Sequence, residues 1–153
     1  MRGNHCLVIH NFLSMRILIV DDDLNIREVF KSKCKKHGIE FDEADTGDEA
    51  LQKIASNQYD AVLLDLLIPG KDGIAVLYSM KKDSKLEKTK VFVLTNMGGK
   101  SSIQKALDHG AYKAFIKANM GINDLIKIIV DNAEPQLEPK LDAESMRAKA
   151  SAA

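Results

Sequence analysis

Asp21, Asp22, Asp65, Thr95 and Lys117 are the residues of this chain whose types and placement suit chemistry. Each stands at or just beyond the end of a short apolar run. Arg16-Ile17-Leu18-Ile19-Val20 leads into Asp21-Asp22-Asp23, Ala61-Val62-Leu63-Leu64 into Asp65, Val91-Phe92-Val93-Leu94 into Thr95, and Ala114-Phe115-Ile116 into Lys117. Unbroken apolar runs of this length read as buried parallel strands with helices covering both faces. The ligand crevice of such a sheet lies outside the carboxyl ends of its strands, so the polar ends are expected to converge. Like charges brought together raise one another's pKa unless a cation compensates. Oxygen-only ligands suit a hard divalent ion, and magnesium takes one or two carboxylates while keeping open, water-filled positions. Asp21, Asp22 and Asp65 therefore form a candidate magnesium site suited to phosphate chemistry. Lys117 supplies a point charge for a phosphoryl group, and Thr95 a hydroxyl donor. Asp65, on a strand expected between those of Asp21 and Thr95, is the candidate nucleophile, since a carboxylate can form an aspartyl phosphate. Taken singly, an acidic loop, a structural threonine and a surface lysine are ordinary. Their joint placement at one end of consecutive strands is what points to a site.

Positioning them requires five strands alternating with five helices over about residues 16–131, a three-layer α/β sandwich. Asp23 suits the N-cap of a first helix, which Gly38 ends. Ile26, Val29, Phe30 and Cys34 form its apolar stripe, and Cys34 reads as a small buried hydrophobe rather than a ligand or nucleophile. Ile39, Phe41 and Ala44 alternate with charged residues, which places the second strand at an edge. Thr46 and Glu49 have capping-box spacing and open a helix through Ala50, Leu51, Ile54 and Ala55. Pro69-Gly70-Lys71-Asp72-Gly73 is a turn, followed by a helix with Ile74, Leu77 and Tyr78 inward. Ser101 or Ser102 is expected to cap a helix through Ile103, Ala106 and Leu107, closed by Gly110. The last helix carries Ile122, Leu125, Ile126 and Ile129.

The 153 residues hold 22 basic and 22 acidic side chains. A nucleic-acid binder draws most of its affinity from phosphate contacts, so zero net charge argues against direct nucleic-acid binding. The basic stretch at 81–90 reads as a solvated loop. Cys6 and Cys34 make no disulfide framework. No run approaches the ~18 apolar residues of a membrane span, and a cytoplasmic location without membrane association is expected. Residues 1–14 read as an N-terminal extension, disordered or upstream of a natural start at Met15. Residues 15–131 read as one domain. Residues 132–153, where Pro135 and Pro139 break the pattern, read as a frayed or disordered tail.

Residues 15–131 resemble the receiver domain of bacterial two-component response regulators, of the chemotaxis type. The resemblance lies in Ile17-Leu18-Ile19-Val20-Asp21-Asp22-Asp23, in Leu63-Leu64-Asp65 and Pro69-Gly70-Lys71-Asp72-Gly73, in Val93-Leu94-Thr95, in Gly110-Ala111 and in Phe115-Ile116-Lys117. It implies a flavodoxin-like fold, a doubly wound five-stranded parallel sheet in the order 2-1-3-4-5 flanked by five helices. It also implies phosphoryl transfer to Asp65 from a histidine kinase or phosphotransfer protein. By the match, Mg2+ is held by Asp21, Asp22 and Asp65, with Asp22 direct, Asp21 at least partly through water, and Leu67 giving only its backbone carbonyl. Thr95 becomes the switch hydroxyl and Lys117 the charge partner. Self-phosphorylation from a phosphodonor and slow self-dephosphorylation are the only activities expected. The chain reads as a stand-alone regulator that binds a downstream protein or passes the phosphoryl group on. The expected binding face is the fourth helix, last strand and fifth helix, in a monomer or a phosphorylation-dependent dimer.

Three positions depart from the family pattern. Asn96 replaces the usual small residue after the threonine, which bears on aspartyl-phosphate lifetime. Ala114 replaces the common aromatic three residues before the lysine, which puts the usual threonine–aromatic coupling in doubt. Ala118 replaces the common proline after the lysine, and since a non-proline cis bond costs about 2.5–4 kcal/mol, a trans bond is expected. Two other readings compete. One is a receiver-like binding module independent of phosphorylation, towards which Ala114 and Asn96 lean. The other is a magnesium phosphohydrolase, opposed by the lack of a cap domain and by Leu67 standing where an acid–base partner would be needed.

Overall fold

A computed structural model describes residues 15–83, 89–96 and 99–133. The expectations for residues 1–14, for the middle of the charged loop at 84–88, for Met97 and Gly98, and for the tail from 134 lie outside the described residues. The elements alternate strictly: β1 (Arg16–Val20), α1 (Leu24–Lys36), β2 (Glu40–Ala44), α2 (Gly47–Ser56), β3 (Ala61–Leu64), α3 (Gly73–Lys82), β4 (Lys90–Thr95), α4 (Gly99–Asp108), β5 (Lys113–Ile116), a 3-10 turn (Lys117–Asn119) and α5 (Ile122–Asn132). The five strands form one parallel sheet in the order β2-β1-β3-β4-β5. This is the flavodoxin-like arrangement expected, with β2 at an edge.

Alternation along each strand sorts the apolar side chains into two layers. Leu18, Val20, Val62, Leu64, Val91 and Val93 face α2, α3 and α4, meeting Ala50, Ile54, Val76, Leu77, Met80 and Ala106. Ile17, Ile19, Ala61, Leu63, Phe92 and Leu94 face α1 and α5, meeting Phe30, Cys34, Leu125, Ile126 and Ile129. Cys34 is buried among them, and burial pushes its thiol up to about 11.

Helix starts follow their caps. Asp23 accepts from the amide of Asn25 at 2.9 Å, Thr46 from that of Glu49 at 3.1 Å, and Asp72 from that of Ala75 at 2.9 Å. The capping box is only half formed, because the Glu49 carboxylate accepts from Asp45, one residue before the cap, at 3.2 Å. Three helix readings are corrected. In α3 the buried set is Gly73, Val76, Leu77 and Met80. Tyr78 lies off that face, 52 % exposed, with the Lys82 ammonium 4.6 Å from its ring centre. Helix α4 begins at Gly99, so Ser101 and Ser102 sit inside its first turn rather than at its cap. Val29 and Leu107 are exposed at the margins of their stripes, as is Ala55.

Two close approaches fix the layers. The Gly47 amide donates to the Pro69 carbonyl at 3.2 Å, and a Cβ on Gly47 would lie 2.1 Å from the Lys71 carbonyl oxygen. Helix α2 thus starts directly against the β3–α3 turn. At the other end of the sheet, Lys90 donates to the Asn132 carbonyl at 2.5 Å and lies 4.6 Å from the centre of the Tyr112 ring. The Tyr112 hydroxyl donates to Asn132 at 3.1 Å. This latch ties the last residue of α5 to the starts of β4 and β5.

Candidate phosphoryl-acceptor site

Two strands extend by one residue to carry the site. The Asp21 amide donates to Ala44 at 3.1 Å and the Asp65 amide to Val20 at 2.9 Å, which sets the two aspartates side by side at the carboxyl edge. Each side chain is then turned by a local hydrogen bond. Asp21 Oδ1 accepts from the Asp23 amide at 2.9 Å, and Asp65 Oδ1 from the Leu67 amide at 3.0 Å. Their second oxygens converge on one cation, with Lys117 Nζ 2.6 Å from Asp21 Oδ2 and 2.8 Å from Asp65 Oδ2. Asp21 and Asp65 are 3 % and 6 % exposed, while Asp22 faces solvent. One carboxylate oxygen from each of Asp21, Asp22 and Asp65 lies within 4.8 Å of the others.

Burial raises the Asp21 carboxyl above its ordinary range and the Asp65 charge adds to this. Lys117 and the Asp23 amide offset only part of the rise. Burial disfavours the Lys117 ammonium, but hydrogen bonds and charges from Asp21 and Asp65 outweigh it and raise its pKa. The lysine therefore stays charged at neutral pH. One ammonium against three carboxylates leaves negative charge on hard oxygen donors, and that donor set fits a divalent cation such as Mg2+.

Thr95 is fully buried at the end of β4 and pairs in register with Ile116, the residue before Lys117. The structure thus brings Asp21, Asp22, Asp65 and Lys117 together and places Thr95 on the same edge. Leu67, two residues after Asp65, has its side chain exposed, and Asn96 is exposed at the rim. Ala114 packs into the layer under α3 and α4, whereas Phe115 packs on the opposite face. The Tyr112 ring belongs to the far end of β5, edge-on to Phe92 at 5.6 Å. No aromatic ring therefore occupies the Ala114 position. No cis peptide occurs among the described residues, so the bond between Lys117 and Ala118 is trans.

Sequence reasoning missed Arg27, which donates to the Asp21 backbone carbonyl at 2.7 Å. Its signal is a cation in the first turn of a helix, where the dipole disfavours it.

A model of the response regulator receiver domain matches residues 17–130. The chain belongs to this family. It is 32% identical over 102 residues to the transcriptional regulatory protein ResD of Bacillus subtilis, a match covering 67% of this chain and 41% of ResD. It is equally 32% identical over 105 residues to SrrA of Staphylococcus aureus, covering 69% of this chain and 42% of SrrA. The chain thus spans about two-fifths of these relatives. Among solved structures it is similar to the receiver domain of the Francisella response regulator 1452, with a TM-score of 0.70 and 28% identity over 78% of this chain and 99% of that one. TrrA of Thermotoga maritima, solved in complex with Mg(2+)-BeF, gives a TM-score of 0.66 and 33% identity over 78% of this chain and 99% of TrrA. Receiver domains bind Mg2+ at an acidic pocket, and this receiver carries an aspartate cluster of that kind. Among the described residues, no helix is long and apolar enough to cross a membrane.

Proposed function

We propose that this receiver accepts a phosphoryl group on Asp65 and signals through a protein partner or a phosphorelay. The observation that supports it most is the Lys117 ammonium joined to both Asp21 and Asp65, with Asp22 beside them. In this reading an Asp65 oxygen attacks the phosphorus of a phosphohistidine on a histidine kinase or phosphotransfer protein. The new P–O bond forms as the P–N bond breaks, and the imidazole leaves with a proton from solvent. Asp21, Asp22 and Asp65, with the Leu67 backbone carbonyl, would hold Mg2+, which when bound neutralises charge on the phosphoryl oxygens. Lys117 stays protonated and supplies a second positive charge. Thr95 supplies a hydroxyl donor from β4. Lys117 and the Leu67 amide hold the Asp65 carboxylate in place, so the chain contributes positioning and charge rather than acid–base chemistry. Output without direct nucleic-acid contact fits a chain of zero net charge.

Incubation of the full chain with acetyl phosphate and Mg2+, followed by intact mass, is expected to show the gain of one phosphoryl group. Asp65→Asn or excess chelator should abolish it. An unmodified parent protein would instead favour the second reading, a binding module independent of phosphorylation. The observation behind that reading is Ala114, which stands where the family commonly has an aromatic residue.

A further inference from the structure

Arg27 has no role in the chemistry described above, yet its side chain is 12 % exposed in the first turn of α1, where the helix dipole opposes its charge. Two partners hold it there. One guanidinium nitrogen donates to the Asp21 carbonyl at 2.7 Å, and Nε lies 3.4 Å from Glu43 Oε2 on the edge strand β2. The Nε and Oε2 atoms are buried and make no hydrogen bond. An ion pair desolvated in this way without good geometry is weak evidence for stability. The hydrogen bond that Arg27 does make is to the peptide joining Asp21 to Asp22. From the other side that segment is held by the Asp21 amide on Ala44 and the Asp23 amide on the Asp21 carboxylate.

We propose that Arg27 is a positioning residue for the acidic turn: steadied by Glu43, it fixes the Asp21–Asp22 peptide so that both carboxylates address one divalent cation. This rests on the reading of Asp21, Asp22 and Asp65 as a magnesium site. Its charge and its grip act in opposite directions. A nearby cation repels Mg2+, so removing the charge alone would tighten binding, whereas losing the grip weakens it. Arg27→Lys separates the two, because lysine keeps the charge but cannot fork between the Asp21 carbonyl and Glu43.

The test is the Mg2+ dissociation constant of the metal-stripped full chain, by calorimetric titration, for the parent, Arg27→Lys, Arg27→Met and Arg16→Met. Arg16 also bridges β1 to β2, through Asp42 at 2.7 Å, but at the opposite end of the sheet. It therefore controls for simple loss of stability. Both Arg27 variants are expected to weaken Mg2+ binding by about tenfold or more, the scale for losing a group that orients a ligand, while Arg16→Met changes little. A smaller effect in Arg27→Lys, tighter binding in Arg27→Met, or an equal loss in Arg16→Met would overturn the proposal. If Arg27→Met does not fold, Arg27→Lys and Arg16→Met decide it. A parent that binds no Mg2+ would overturn the magnesium reading itself, and this inference with it.

Discussion

Asp21 carries a testable conflict. Burial raises its pKa above the ordinary 3.8, and the amide and lysine that hold it offset only part of this. A raised native pKa means that the folded state binds the proton more tightly than the unfolded chain. The stability this gives is complete below 3.8 and is lost as pH rises through the native value. Asparagine at this position keeps an acceptor for the Asp23 amide and does not ionise. In chelator-treated protein, the urea midpoint of the parent should therefore fall relative to Asp21→Asn as pH rises from the carboxylate range towards neutrality. Parallel profiles for the two would refute the account. The convergence of Asp21, Asp22, Asp65 and Lys117 was legible in the sequence, because residue type and position at a strand end are both one-dimensional facts. Arg27 was not, since its partner is a backbone carbonyl, and motif spacing records side chains alone.

Strands were easier to read than helix faces. A buried strand announces itself as an apolar run, and alternation then assigns each side chain to a layer, as Leu18 and Ile19 show. A helix face depends on phase. In α3, Tyr78 is apolar enough to be read as core, yet it falls one step past the face carrying Val76, Leu77 and Met80. The start of α4 was misread for a related reason: Ser101 and Ser102 are good caps by type, but the helix already begins at Gly99. The contact between Gly47 and the β3–α3 turn was invisible too, because it joins residues separated in sequence. It makes a sharp forecast. A methyl group on Gly47 would meet the Lys71 carbonyl at 2.1 Å, so Gly47→Ala should cost about 1–3 kcal/mol through forced backbone shifts. Urea unfolding checks this, and an unchanged midpoint would show that the turn yields freely.

Across the whole molecule, the sheet has two unlike poles. The carboxyl edge gathers uncompensated acid, whereas the amino edge is closed by neutralised contacts such as Arg16–Asp42 and the Tyr59 hydroxyl on Asp42 at 2.6 Å. Binding of a cation at the acidic pole alone should stabilise the entire fold by mass action. Free Mg2+ at ten times its dissociation constant would raise the unfolding free energy by about 1.4 kcal/mol. Asp22→Asn, at an exposed position, should lose most of that increment, and thermal unfolding with and without Mg2+ measures it. Helix α5 connects the poles. At one end it follows Lys117 through a single tight turn, and at the other the Lys90–Tyr112–Asn132 latch grips its final residue. In mechanical terms it is a beam pinned at both supports. Such a beam cannot swing like a lever. Any travel of the lysine at its head must appear as sliding or torsion along its length, or else open the pin at its foot.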